Sequence, residues 1–299
     1  MYYYKPKNFK MRFLLFFSCL LISATVWSQS KMACCASADF AALGTDEAFR
    51  DAHQTPRMDT LDAPLGKLIG IPTPGDTVQT RAYAYYIEAK QPTDKVLFVF
   101  HEWWGLNDNI KREADRYYTA LDESAHVIAV DLFDYKKATT RKGAAKLMES
   151  VSEERISHIL KGAFAIAGPD AKFATLGWCF GGTWSLQAAI EGGERTLAAV
   201  TFYGMPERDT ERLALLECPV LAIFANQDSW ITPELADEFE TNMNELEKDL
   251  TIVRYDAEHA FANPSNEIFD EEAAEDAFER AVSYLRSHLL EMDENDVEE

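Results

Sequence analysis

Gly177-Trp178-Cys179-Phe180-Gly181-Gly182 joins the apolar run Phe173 to Gly177 to the helical stretch Thr183 to Ile190. A strand, a G-x-C-x-G-G turn and a helix in that order make the cysteine form of the G-x-S-x-G nucleophile elbow. The spacing has a physical cause. The turn is so tight that its central residue is strained, and only glycine fits two positions before and after it. The strain lifts the Cys179 side chain above the sheet. It also sets the next backbone N–H at a helix start, where the dipole favours negative charge. On this ground the thiol is expected to have a lowered pKa. A buried structural cysteine among packing glycines is the plain alternative, so the flanking elements must decide.

Outward from the turn the chain alternates. Arg81 to Glu88, Lys95 to His101, His126 to Val130, Leu197 to Phe202, Val220 to Ala225 and Leu250 to Tyr255 read as strands. Ile110 to Leu121, Glu153 to Ala167, a segment begun by Thr232-Pro233, and Glu271 to Leu290 read as helices. Strands alternating with helices predict an α/β fold in one domain over 65–292, its mainly parallel sheet covered by helices on both faces. Ligands of such sheets bind beyond the carboxyl ends of the strands, so chemistry is expected just after each apolar run.

Two such places hold the partners a thiol nucleophile needs. His259 lies in Asp256-Ala257-Glu258-His259-Ala260-Phe261, past the last strand. Asp228 follows VLAIFAN, before a helix. Alone, Asp228 reads as an N-cap and His259 as a solvated loop histidine. Together, Cys179, Asp228 and His259 stand in the nucleophile, acid, histidine order of the α/β-hydrolases, each at a strand end. The imidazole takes the thiol proton, the carboxylate fixes its tautomer, and the thiolate attacks an acyl carbon to form a thioester. His53, His126, His158 and His288 read as structural or solvated groups.

KVLFVF runs into His101-Glu102-Trp103-Trp104-Gly105-Leu106-Asn107. The loop in this place normally supplies the second oxyanion donor, which assigns the hole to the backbone N–H groups of Trp103 and Phe180. HEWWGLN, GWCFGG, QDSWITP and EHAFANP, in that order, resemble the dienelactone hydrolase family over about 65 to 292. The resemblance implies an α/β-hydrolase fold, carboxylic ester or lactone hydrolysis, no metal or organic cofactor, and a Cys-His-Asp triad. It also implies that Glu102 contacts the resting thiol and controls its ionisation. From chemistry alone, a carboxylate near a cysteine raises the thiol pKa.

The family's chlorocatechol-pathway members grip a substrate carboxylate with two arginines. As the motifs align, Tyr135 and Asn263 stand in those places here. Lys136, Lys137 or Arg141 could compensate, although a lysine lacks the planar fork of arginine. Neutral esters or lactones are therefore the expected substrates. Trp104, Trp178 and Trp230, with Tyr135 and Asn263, are the expected pocket residues; for the tryptophans, packing under loops is the other reading.

The N-terminus reads as a secretory signal peptide over 1–28. Lys5, Lys7, Lys10 and Arg12 precede the apolar run Phe13 to Trp27, with cleavage expected after Ser28. A lipoprotein anchor at Cys19 fits less well, because Phe16 and Phe17 are bulky where small groups are wanted. Residues 29–64 read as a leader and linker, with Met32 to Phe49 able to form a helix, and 293–299 as an acidic tail. The net charge of −21 falls near −25 without the first 28 residues. Such acidity repels nucleic acid and anionic membrane, leaving a small molecule as the expected partner and the oligomeric state open. Cys34, Cys35, Cys179 and Cys218 are too few for a disulfide framework, and no second Cys/His cluster at ligand spacing predicts a metal site. A binding protein on a hydrolase scaffold would lack a triad member, and none is missing. A redox protein would want a C-x-x-C pair, which is absent.

Overall fold

The structure is a computed structural model in which residues 40, 42–57 and 60–290 are described. The expected signal peptide, Cys34 and Cys35, and the acidic tail lie outside the described residues. Eight strands form one sheet: β1 (Lys67–Pro72), β2 (Arg81–Ile87), β3 (Lys95–Phe100), β4 (His126–Asp131), β5 (Lys172–Trp178), β6 (Thr196–Phe202), β7 (Val220–Ala225) and β8 (Leu250–Tyr255). Their spatial order is β1-β2-β4-β3-β5-β6-β7-β8. β2 runs antiparallel to β1 and β4, and every other pairing is parallel. The helices are α1 (Glu47–Ala52), α2 (Asp108–Ala120), α3 (Arg141–Ser150), α4 (Glu153–Ala167), α5 (Phe180–Gly192), α6 (Thr210–Leu213), α7 (Pro233–Glu245) and α8 (Glu271–Leu285).

The central strands β3, β4, β5 and β7 are buried almost throughout, as continuous apolar runs of a two-sided parallel sheet should be. α5 is buried from Phe180 to Ile190, which is why its sequence is apolar all round rather than striped. Glycine lets it approach so closely. A Cβ on Gly181 would sit 2.2 Å from the Phe100 carbonyl oxygen, and one on Gly177 would sit 2.0 Å from that of Gly181. The spacing read in the sequence is therefore a backbone-packing requirement. At the antiparallel end Arg155, on α4, ties three segments together. Its guanidinium donates to Asp134, to Asp76 Oδ2 at 3.0 Å, and to the carbonyls of Gln79 and Arg81 at 2.7 and 2.8 Å.

Several elements differ from the expectation. β1 has no apolar run to announce it, because it is an edge strand with only Ile71 buried. α3 carries Gly143 in its first turn, where Thr140 Oγ1 accepts from the Gly143 N–H. The closing helix ends at Leu285, and Arg286–Leu290 is a π-helical turn. In the leader, Gly44-Thr45-Asp46 breaks the expected helix, and Asp46 Oδ1 caps α1 by accepting from the Ala48 N–H at 2.8 Å. No helix among the described residues is long and apolar enough to cross a membrane.

Candidate active site

Because β3 to β8 are parallel, their carboxyl ends share one edge, and the strand order decides which side chains meet. β5 lies between β3 and β6, which puts Cys179 between the Glu102 loop and Tyr203. β7 and β8 are neighbours, which puts Asp228 beside His259. Backbone bonds carry the pairing past the strand ends. The Cys179 N–H donates to the Phe202 carbonyl at 2.9 Å, the Tyr203 N–H to that of Ile223 at 2.7 Å, and the Gln227 N–H to that of Ala257 at 3.0 Å.

Cys179 has φ +56° and ψ −119°, a backbone that side chains rarely adopt, so the elbow is strained as expected. His259 Nδ1 donates to Asp228 Oδ2 at 2.5 Å. The other carboxylate oxygen, Oδ1, accepts from the N–H groups of Trp230 and Ile231, both at 2.9 Å. Thr232, not Asp228, holds the N-cap position of α7. Asp228 is thus a rigid orienter: one oxygen is fixed by the backbone and the other faces the imidazole. A ring nitrogen of His259 lies within 4.8 Å of the Cys179 sulfur.

The electrostatics revise one expectation. Burial raises the Cys179 thiol pKa, and the His259 charge only partly offsets it. The Phe180 N–H at the start of α5 acts in the expected, lowering sense but is the weaker influence. For His259, burial alone would depress the imidazolium. The charges of Asp228 and of the Cys179 thiolate outweigh that and raise it well above its ordinary value. Glu102 is buried and accepts from Asn263 Nδ2 at 2.7 Å. Burial pushes its carboxyl up to about 7, against the lowering influence of His259 and Asn263.

The expected pocket residues separate. Trp178 and Asn263 line an open cleft with Glu102, Tyr203, Arg112 and Glu113. Trp103 and Trp104 are buried and pack edge to face at 4.9 Å. Trp230 is half-buried under the leader, against Phe49 and His53. Tyr135 is 59% exposed and packs on Tyr83, away from this cleft. Arg141 is engaged with the leader: its Nε donates to the His53 carbonyl at 2.6 Å. Lys136 lines a different cavity, around Arg155. The cation at the cleft is Arg112, which donates to Asn109 Oδ1 at 3.0 Å and shares the space with the Glu102 and Glu113 carboxyls. Its position on the first turns of α2 gave no signal separable from ordinary helix charge.

Sequence reasoning missed three things here. Tyr203, buried at φ +37°, holds its ring 5.1 Å from that of His259, and it does follow an apolar run. His101 is a structural tie rather than a site group. Its Nε2 accepts from the Leu132 N–H at 3.0 Å and its Nδ1 donates to the Glu102 carbonyl at 2.6 Å. The largest surprise is the leader. Phe40 packs on Phe180, and Phe49 and His53 pack on Trp103, Trp230 and His259. His53 is buried beside His259, and burial with repulsion from His259 drops its pKa to about 3. Beneath this cover Cys179 is fully buried.

Comparison with known proteins completes the picture. A family model described as the dienelactone hydrolase family matches residues 82–289. A provisionally named carboxymethylenebutenolidase of Aquifex aeolicus is 26% identical over 68% of this chain and 93% of its own. A carboxymethylenebutenolidase of a Pseudomonas species is 30% identical over 55% of this chain and 64% of its own. Among solved structures, a dienelactone hydrolase-like promiscuous phosphotriesterase from metagenomic libraries shares the fold. Its TM-score is 0.63 at 20% identity, over 75% of this chain and 99% of that one.

Proposed function

The chain belongs to the dienelactone hydrolase family, and from that premise we propose that it is an exported hydrolase of small neutral carboxylic esters or lactones with Cys179 as nucleophile. The observation that carries the reading is the relay at the sheet edge. Asp228 is pinned by two backbone N–H groups, His259 by Asp228, and a ring nitrogen of His259 lies within 4.8 Å of the strained Cys179.

The steps follow from these residues. Asp228 raises the basicity of His259, which takes the thiol proton as the substrate carbonyl approaches. The thiolate attacks the acyl carbon, and the oxyanion forms at the backbone N–H groups of Trp103 and Phe180. The imidazolium returns the proton to the leaving alkoxide, which departs and leaves a thioester. His259 then deprotonates a water that attacks the thioester, and the acid and the thiol are released. Glu102 tunes the thiol: as a carboxylate it disfavours the thiolate, and as the neutral acid it does not. Because burial pushes its carboxyl up to about 7, this brake is applied as the pH rises through that range.

A neutral substrate is the reading supported by the cleft lining, in which the Arg112 cation is accompanied by the Glu102 and Glu113 carboxyls and Asn263 is uncharged. Export rests on the basic and apolar N-terminus. Cell fractionation of the intact precursor tests it: processed protein in the periplasm or medium is expected, and unprocessed protein in the cytoplasm contradicts it. For the activity, 4-nitrophenyl acetate, a neutral aryl lactone and an anionic dienelactone are compared on wild type and Cys179→Ala. Turnover of the neutral substrates, lost in the variant, is expected. Faster turnover of the anionic lactone would overturn the substrate assignment, and full activity of Cys179→Ala would overturn the mechanism.

A further inference from the structure

His53 is a buried imidazole that the reaction does not use, and it lies against the two groups that react. In both His53 and His259, Nδ1 is committed. It donates to the Phe49 carbonyl at 2.6 Å in one ring and to Asp228 at 2.5 Å in the other. In both rings the remaining nitrogen, Nε2, is buried; that of His53 has no hydrogen-bond partner, and that of His259 is left for the Cys179 thiol. One nitrogen of each ring and the Cys179 sulfur all lie within 4.8 Å of one another. A histidine whose Nδ1–H is held by a backbone carbonyl or a carboxylate, with Nε2 left free, is oriented as metal-ligating histidines are. Two such buried rings beside one thiol offer three donors of the kind a metal ion takes.

We propose that His53, Cys179 and His259 form a zinc site that holds the enzyme in a resting state. Two imidazoles and a thiolate suit Zn2+ and disfavour Mg2+ or Ca2+, which seek oxygen. Bonds of about 2.0–2.1 Å to nitrogen and about 2.3 Å to sulfur imply ligand separations of roughly 3.3–3.8 Å. The observed spread closes to that with shifts of about 1 Å. Zn2+ binds the thiolate and the neutral imidazoles, so the Cys179–His259 pair gives up to solvent whatever protons it carries there, and a fourth position stays open to water. The bound ion withdraws the nucleophile and the base together and fastens the leader over them. The site goes beyond the hydrolytic reading and stands apart from it, since metal binding and metal-free hydrolysis are measured separately.

The test uses the full chain, stripped of metal, reduced, and carrying Cys19→Ser, Cys34→Ser and Cys35→Ser so that those thiols do not report. Co2+ is titrated first, and Zn2+ affinity is then measured in competition with a chromogenic chelator. A thiolate-to-cobalt charge-transfer band saturating at one equivalent is expected. It should vanish in Cys179→Ala, and Zn2+ affinity should fall at least about 100-fold in His53→Ala, beyond the 10–100-fold that outer-shell partners cost. X-ray absorption on the zinc-loaded protein with His53 intact needs no variant that might misfold. One sulfur with two imidazole nitrogens is expected. Absence of the band, an affinity unchanged in His53→Ala, or a zinc shell without sulfur or with more than one sulfur would each overturn the site.

Discussion

The triad and the leader meet at one place but are held there by different physics. Cys179, Asp228 and His259 are carried by neighbouring parallel strands and locked by backbone hydrogen bonds that continue the sheet. The leader is docked. Phe40, Phe49 and His53 supply aromatic contacts. Polar ties join them at its margin: Arg141 to the His53 carbonyl and the Asp51 carboxylate, Arg57 to the Ser265 and Pro264 carbonyls, and Asn109 to the Arg57 carbonyl at 3.0 Å. A position set by topology moves only if the sheet unfolds. A docked segment can leave by itself, and because the sulfur is buried beneath it, access to Cys179 is expected to follow its departure.

Chemistry should break the comparison hardest on the sheet side. Cys179→Ala is expected to lower kcat for 4-nitrophenyl acetate by at least about 10⁴-fold with the melting temperature little changed, and Asp228→Asn by about 10³–10⁴-fold. On the leader side, Phe49→Ala removes the main aromatic anchor. Alkylation of Cys179 by iodoacetamide at fixed pH should then accelerate roughly 100-fold, the equivalent of about 3 kcal/mol of lost docking. An unchanged alkylation rate would mean that the leader does not limit access.

Glu102 sharpens the contrast through pH. Its folded-state pKa is raised, so its contribution to stability is fully present below the ordinary carboxyl value of 4.5 and is lost as pH rises through about 7. Unfolding by urea should show wild type losing about 2 kcal/mol between about pH 5 and 7 that Glu102→Gln retains. Equal slopes in the two proteins would show that Glu102 is not buried as described. Smallest is Arg141→Ala, which removes one charged donor to the leader. It should cost the docked state about 1 kcal/mol and raise alkylation about fivefold.

How far each region was legible in the sequence follows the same division. GWCFGG announces itself because the close approach of Gly181 to Phe100 forbids a side chain, and that constraint is local. Asp228 and His259 were legible because parallel strands bring their carboxyl ends together whatever lies between them. The two-sided strands β3, β5 and β7 were visible as apolar runs, whereas the exposed edge β1 was not. Tyr135 was expected in the pocket from alignment with a family position, yet its ring turns out against Tyr83, because alignment fixes the backbone and not the direction of a side chain. The lowered thiol pKa failed for a related reason: a helix terminus can be read from sequence, but the burial that outweighs it cannot. His53 had no local signature, since its docking depends on a surface assembled from distant loops.

The central claim is that acyl groups pass through the Cys179 sulfur. The most direct test is mass spectrometry of the protein after acid quenching within the first turnovers on 4-nitrophenyl acetate. A single acetyl group, located on the peptide containing Cys179 and removed by neutral hydroxylamine, is the expected result. Turnover with no adduct on that peptide, or with the acetyl group on another residue, would contradict it.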